Sequence, residues 1–366
     1  MKTVLLVFGT RPEAVKMCPL VRELKRRGVF SVKVALTGQH REMLSPILDT
    51  FAVTPDYDLA VMRTGQTLSH VTTAVLTGME AVLHDAHPHL VLVHGDTTTA
   101  FATALASFYQ QIPVGHVEAG LRTYDMTSPF PEEFNRRAVG LIAGLHFAPT
   151  SSAADNLLRE GVPPASVFVT GNTVIDALGF TVRKDFSHPL LDGAEGDRLI
   201  LLTTHRRENV GSTMAAMLRA VREEVELHSR VRVICPVHKN PAVRDVVKKV
   251  LADCPAVHLT EPLDTVTFHN LLARCYLALT DSGGIQEEAS ALGIPTLILR
   301  NTTERPEGVA AGTLQMVGTD PRAVRIALRR LLEDEALHRA MSSSPCPYGD
   351  GHACDRIADV LEARLP

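Results

Sequence analysis

Short apolar runs alternate with stretches of helical periodicity along nearly all of the 366-residue chain, which predicts an α/β protein built on parallel sheets. The rhythm breaks once, between Gly171 and Arg198, and then restarts, which predicts two Rossmann-like halves with a cleft between them. Charged, imidazole and glycine residues collect just past the apolar runs, where open parallel sheets bind their ligands.

The elements follow in order. Lys2–Phe8 is an apolar run ending at Gly9 and reads as the first strand. From Glu13 to Arg27 the apolar residues Val15, Leu20, Val21 and Leu24 fall on one helical face. Val32–Leu36 reads as a strand and is followed by a helical stretch after Gly38. Thr67–Asp85 repeats the helical spacing at Leu68, Val71, Val75, Met79 and Val82. Strands are expected at Leu90–Val93, Pro113–Val117, Leu145–Ala148 and Val167–Thr170, with an alanine-rich helix up to Tyr109 and another helix from Pro131. The interrupted region holds one helix, Thr173–Lys184, then Ser187-His188-Pro189 and the turn-rich Asp192–Asp197. The second half repeats strands at Leu199–Thr203, Val231–Cys235, Ala256–Leu259, Tyr276–Thr280, Thr296–Leu299 and Leu314–Val317. The expected division is residues 1–172, a connection over 173–198, a second domain over 199–350 and a terminal helix over 351–366.

Composition removes several classes. With 41 acidic and 37 basic residues the net charge is −4, so there is no basic surplus to coat nucleic acid. No basic segment leads into an apolar one as in a signal peptide, and the longest stretch free of charge, Thr97–Val117, is too polar for a membrane span. Trp is absent, with 12 Phe and 5 Tyr, which disfavours a lectin that grips sugar on aromatic platforms. The 6 cysteines are scattered without a C-x-x-C pair and read as free thiols, and Cys346, His352 and Cys354 have the wrong spacing for zinc.

The predicted strand ends carry Gly9-Thr10-Arg11-Pro12-Glu13 with Lys16 a turn later, His94-Gly95-Asp96, Glu118, Thr204-His205-Arg206, His238 and Asp281-Ser282-Gly283-Gly284. Asp281–Glu288 places two glycines at a helix start, a phosphate-binding pattern, with Glu288 placed to accept from ribose hydroxyls. The alternative is a tight strand–helix turn capped by Ser282. Gly9–Glu13 is neither a Walker motif nor G-x-G-x-x-G, which weakens an ATPase or a dinucleotide reading. Asp96, Glu118 and Glu132 form a trio of carboxylates on one side, and crowded carboxylates suit proton transfer. Capping of helices by Asp96 and Glu132 is the bland alternative. His205, beside Arg206 and Arg207, favours an anion. Asp56-Tyr-Asp58 has the D-x-D form of metal-dependent glycosyltransferases but sits at an edge rather than after a strand.

Taken together, Gly9-Thr-Arg-Pro-Glu-Ala-Val-Lys16, Thr37-Gly-Gln-His-Arg-Glu-Met-Leu44, Gly95-Asp-Thr-Thr-Thr99 and Gly115-His-Val-Glu-Ala-Gly-Leu-Arg-Thr123 occur in order. They are followed by Pro129-Phe-Pro-Glu-Glu-Phe-Asn-Arg136, Gly171-Asn-Thr-Val-Ile-Asp176, Thr204-His-Arg-Arg-Glu-Asn209, Pro236-Val-His238, Thr280-Asp-Ser-Gly-Gly-Ile-Gln-Glu-Glu288, Thr303-Glu-Arg-Pro-Glu307 and Pro347-Tyr-Gly-Asp-Gly351. The set resembles the bacterial non-hydrolysing UDP-N-acetylglucosamine 2-epimerases over nearly the full chain. The resemblance implies a GT-B-like architecture with the active site in the cleft, a terminal helix that returns to the first domain, and a cytoplasmic homodimer. It implies interconversion of UDP-N-acetylglucosamine and UDP-N-acetylmannosamine for cell-surface polysaccharide synthesis, with no cofactor, metal, nucleic acid or membrane. By position, Asp96, Glu118, Glu132 and His205 match the catalytic residues. Arg11, Lys16, Phe268, Ser282, Gly283, Gly284 and Glu288 match the substrate and UDP-binding residues, and Gln39, Gln66, Arg206 and His238 match a site for a second UDP-N-acetylglucosamine as activator. A glycosyltransferase on the same fold, a hydrolysing 2-epimerase and a non-catalytic UDP-sugar sensor are the alternatives, the last disfavoured by the carboxylate trio.

Overall fold

The computed structural model describes residues 1–38, 41–63, 65–206 and 209–365, with backbone alone at 41–43. The chain forms two compact units, Met1–Phe180 with Gly349–Pro366, and Thr181–Tyr348.

The first unit runs β1 (Thr3–Phe8), α1 (Arg11–Arg27), β2 (Ser31–Leu36), α2 (Arg41–Thr50), β3 (Tyr57–Asp58), α3 (Leu68–Ala86), β4 (Leu90–His94), α4 (Thr98–Tyr109), β5 (Val114–Val117), α5 (Glu132–Ile142), β6 (Leu145–Ala148), α6 (Ser151–Arg159), β7 (Val167–Val169) and α7 (Thr173–Thr181). Its strands form a parallel sheet of order β3-β2-β1-β4-β5-β6-β7. Helices cover both faces of such a sheet, so the central strands are apolar throughout: Val4–Phe8 and Val91–Val93 are fully buried. Leu5, Val7, Val91 and Val93 pack on Val71, Val75 and Met79 of α3.

Strand β3 is too short for a periodicity signal. Its D-x-D residues close the sheet edge: Asp56 accepts from the Val34 amide at 2.8 Å, Tyr57 donates to Asp85 at 2.6 Å, and Asp58 accepts from the Ala60 amide at 3.0 Å.

The second unit runs β8 (Arg198–Thr203), α8 (Ser212–Val225), β9 (Val231–Pro236), α9 (Pro241–Leu251), β10 (Val257–Thr260), α10 (Thr265–Leu272), β11 (Leu277–Thr280), α11 (Gly283–Ala291), β12 (Thr296–Ile298), α12 (Pro306–Ala311), β13 (Leu314–Met316), α13 (Pro321–Glu333) and α14 (Glu335–Ser342). Its sheet, again parallel, has the order β10-β9-β8-β11-β12-β13. Leu202, Val233, Leu277, Leu279 and Leu297 pack there with Met214, Met217 and Val221 of α8 and Val324 and Leu328 of α13.

The boundary between units falls at residues 180/181, inside the stretch that the sequence reads as connection. Helix α7 stops at Thr181 rather than at Lys184, because Asn270 intercepts the backbone. Its side chain donates to the Thr181 carbonyl at 2.7 Å and accepts from the Arg183 amide at 2.8 Å. The last helix, α15 (Ala353–Arg364), belongs to the first unit. Asp176 of α7 accepts from the Cys354 and Ala353 amides at 2.8 and 3.2 Å, which satisfies the start of α15. Arg27 of α1 pairs with Asp359 and Glu362 at 2.5 and 3.1 Å. The 6 cysteines are free thiols. Among the described residues no helix is long and apolar enough to cross a membrane.

Candidate active site

In the first unit the site residues ride on the ends of neighbouring strands. The turn after β1 requires glycine, since a Cβ on Gly9 would lie 1.9 Å from the Thr37 hydroxyl. Thr10 caps α1 in a capping box with Glu13. The buried Glu13 carboxylate also accepts from the Gly9 amide at 3.0 Å and the Thr97 hydroxyl at 2.6 Å, so it is taken up in holding the turn. Arg11 opens α1 half-buried, and Lys16 is buried on it and ion-pairs with Glu118.

Asp96 is not a helix cap. Thr97 takes that role, accepting from the Ala100 amide at 3.0 Å. The Asp96 carboxylate instead accepts from Arg136 of α5 at 2.6 Å, while Asn135 donates to the Asp96 carbonyl at 2.9 Å. Glu132 stands at the first position of α5, whose N-terminus makes no side-chain capping bond. Its neighbour Glu133 is buried and accepts from the Thr123 and Tyr124 amides at 3.0 and 3.1 Å.

Glu118 sits after β5 at φ +61°, a left-handed conformation that a residue with a side chain adopts at a cost of about 1–3 kcal/mol. Lys16 ion-pairs with its carboxylate, Asn172 donates to it at 2.7 Å, and His94 Nε2 lies 3.6 Å away. Two members of the trio therefore each carry a cation of their own, Lys16 on Glu118 and Arg136 on Asp96. These cations clamp the two carboxylates and fix their orientation. His116 supports the turn. Burial pushes this imidazole down to about 3, so it is neutral and donates from Nε2 to the Gly95 carbonyl at 2.7 Å.

In the second unit the centre is Asp281, fully buried at the end of β11. It accepts from the backbone amides of His205 and Arg206 at 3.0 Å each and from the His205 ring at 2.9 Å. Burial alone would raise its carboxyl, but the His205 ring and these amides outweigh that and hold it below the ordinary carboxylate range. The ring partner of His205 is thus a buried carboxylate, where the sequence reading placed arginines; Arg207 lies outside the described residues.

Ser282 occupies the N-cap position of α11 but makes no side-chain capping bond there. Gly283 is required by packing, since a Cβ would lie 2.5 Å from the Arg305 guanidinium; at Gly284 the nearest atom is Glu288 Oε1, at 3.9 Å. Arg305 pairs with Glu287 at 2.6 Å and with Glu304 at 2.9 Å. Burial would raise the Glu304 carboxyl, but Arg305, Arg300 and Arg206 pull it down to about 2. A depressed carboxyl contributes stability that is present above its unfolded value of 4.5 and lost as pH falls through 2. The thermal midpoint is expected to drop as pH falls from about 5 to about 2, and to drop less in Glu304→Gln. Equal drops would exclude Glu304 as the cause.

Phe268 on α10 is half-buried against the cluster containing Leu199, Leu201 and Leu271. The next residue, His269, reaches Glu288 with Nε2 3.6 Å from Oε1. Of the residues expected at an activator site, His238 is exposed, and its ring stacks on that of His205 at 5.7 Å. Arg206 joins the Asp281–Glu304 set, with its guanidinium 3.7 Å from Glu304. Gln66 accepts from the Arg63 amide at 2.8 Å. Gln39 lies outside the described residues.

Sequence reasoning assigned no role to Arg136, Asn172, Asp281, Glu304 or Arg305. Asp281 was open to detection as a charged residue ending an apolar run. Nothing in one dimension joins Arg136 to Asp96 or Asn172 to Glu118.

The profile of the UDP-N-acetylglucosamine 2-epimerase family matches residues 22–362. The chain belongs to the UDP-N-acetylglucosamine 2-epimerase family. The family's enzyme from Bacillus subtilis strain 168 is 53% identical over 358 residues, covering 98% of this chain and 94% of that one. Among solved structures, S. aureus MnaA in complex with UDP superposes with a TM-score of 0.95 at 47% identity, covering 100% of this chain and 97% of that one. The Neisseria meningitidis UDP-GlcNAc 2-epimerase bound to UDP-GlcNAc superposes with a TM-score of 0.93 at 43% identity, covering 99% and 100%. The fold is GT-B-like, with two Rossmann-like parallel-sheet domains.

Proposed function

We propose that this chain is a non-hydrolysing UDP-N-acetylglucosamine 2-epimerase, an isomerase that interconverts UDP-N-acetylglucosamine and UDP-N-acetylmannosamine. The observation that carries the reading is the pair of carboxylates in the first unit, Asp96 and Glu118, each held by its own buried cation. Proton transfer at carbon needs a carboxylate of fixed direction, and long side chains in solvent do not provide one.

The C2 hydrogen of the sugar is not acidic, because C2 bears no carbonyl. Departure of UDP from C1 builds oxocarbenium character and makes it so. The C1–O bond breaks, a carboxylate takes the C2 proton, and a C1–C2 double bond forms, giving 2-acetamidoglucal and UDP. Return of a proton to the opposite face of C2 and of the UDP oxygen to C1 completes the inversion. Asp96, Glu118 and Glu132 are the proton-transfer groups of this reading. His205, Arg11 and the start of α11 at Ser282, Gly283 and Gly284 stabilise the departing diphosphate. Glu288 accepts from the ribose, Phe268 lies beside the uracil, and Lys16 orients Glu118. The helix start without a side-chain cap and the His205–Asp281 pair support the diphosphate assignment.

A second UDP-N-acetylglucosamine acts as activator through Gln39, Gln66, Arg206 and His238. The stacking of His238 on His205 supports a link between activator and catalytic residues. The enzyme works in the cytoplasm as a homodimer. Free thiols support the first assignment, and the exposed apolar residues Phe108, Tyr109, Phe134 and Leu141 on α4 and α5 support the second.

Incubation with UDP-N-acetylglucosamine in D2O is expected to give both UDP-sugars with deuterium at C2. Free N-acetylmannosamine with UDP would identify a hydrolysing enzyme instead. Unlabelled substrate at saturating concentration, where the activator site is also filled, would reject epimerisation.

A further inference from the structure

Helix α10 does two jobs in adjacent residues. Asn270 and Arg274 clamp the backbone that leaves α7. Asn270 donates to the Thr181 carbonyl at 2.7 Å, and Arg274 donates to the carbonyls of Arg183 and Lys184 at 2.8 and 3.2 Å. Between that clamp and Phe268 sits His269, 2% exposed. Its Nδ1 shares a 2.7 Å hydrogen bond with the Thr181 hydroxyl, and its Nε2 lies 3.6 Å from Oε1 of Glu288. Glu288 stands on the second turn of α11.

The tautomer follows from these partners. A carboxylate only accepts, so the imidazole that serves it carries its proton on Nε2. Nδ1 is then the acceptor in the hydrogen bond with the Thr181 hydroxyl. The carboxylate selects this tautomer, the Thr181 hydroxyl matches it by holding Nδ1, and the ring N–H is directed at one carboxylate oxygen. A shift of about 0.6 Å closes the gap to a full hydrogen bond. One oxygen held in this way leaves the other oriented to accept from a diol.

We propose that His269 is a positioning residue for nucleotide specificity: the chain Thr181–His269–Glu288 fixes the Glu288 carboxylate so that the site selects a ribose diol over a deoxyribose. This rests on the assignment of Glu288 to the ribose.

The test compares the binding of UDP and 2′-deoxy-UDP to the full-length protein by titration calorimetry. The unmodified protein is expected to favour UDP by about tenfold, the scale of one hydrogen bond to a charged group. His269→Leu removes both ring nitrogens and is expected to bring UDP down to the affinity of 2′-deoxy-UDP, which itself changes less than about twofold. His269→Gln carries an N–H to the Nε2 position and is expected to restore most of the preference. A general packing defect in His269→Leu would weaken both nucleotides equally, and that outcome overturns the proposal. Glu288→Ala, which removes the acceptor, separates the two levels. Loss of the preference in Glu288→Ala with its retention in His269→Leu overturns the role of His269 alone. Retention of the preference in Glu288→Ala overturns the ribose assignment, and the proposal with it.

Discussion

Asp96→Asn is expected to lower the rate of C2 deuterium incorporation by about 10³-fold, within the range for loss of a general acid or base, while UDP binds within about twofold of the unmodified affinity. The substitution is nearly isosteric, and two contacts that hold this turn survive it. Asn135 bonds the backbone carbonyl of residue 96 rather than its side chain, and Thr97 caps α4 independently. What disappears is the negative charge facing Arg136 at 2.6 Å and the capacity to hold a proton. The effect therefore falls on turnover. Deuterium entry at the unmodified rate would remove Asp96 from the proton-transfer step. A parallel loss of UDP affinity would make it a binding residue instead.

Asp281→Ala is expected to cost about 3 kcal/mol of stability and to weaken UDP by more than about tenfold. The side chain is fully buried and accepts from two amides and one imidazole. Removing it leaves those donors facing an apolar void, which costs more than the bonds themselves contribute. The loss also frees the His205 ring, which Asp281 holds through Nδ1. Thermal melting and calorimetric titration of UDP measure the two effects. A normal melting curve combined with normal UDP binding would show that the His205–Arg206 turn holds its form without the buried carboxylate. Asp281→Asn keeps the volume and some accepting capacity, so a smaller loss is expected.

Much of the fold was legible in one dimension because both sheets are parallel and covered on both faces. Their strands are continuous apolar runs such as Val4–Phe8 and Leu199–Leu202, and each is followed by a helix with one apolar stripe. Short edges carry no such signal, which is why the periodicity shows no strand at Tyr57–Asp58. The end of α7 was misplaced by three residues because the stop comes from the side chain of Asn270, 89 residues away from the carbonyl it binds.

The candidate site divides in the same way. Strand ends in a parallel sheet project their loops to one edge, so Asp96, Glu118, His205 and Asp281 are recognisable from local pattern alone. Their partners are not. Arg136 meets Asp96 across 40 positions, Asn172 meets Glu118 across 54, and Lys16 meets Glu118 across 102. The parallel α/β class, the restart of the rhythm after Gly171 and the kinds of residue at each strand end are written in one dimension, because they depend on periodicity and local turn chemistry. Which cation holds which carboxylate, the lean of His205 on a buried aspartate and the room that Gly283 leaves for an arginine emerge from the packed chain. Those pairings are long-range hydrogen bonds and close contacts, set by how helices and strands pack.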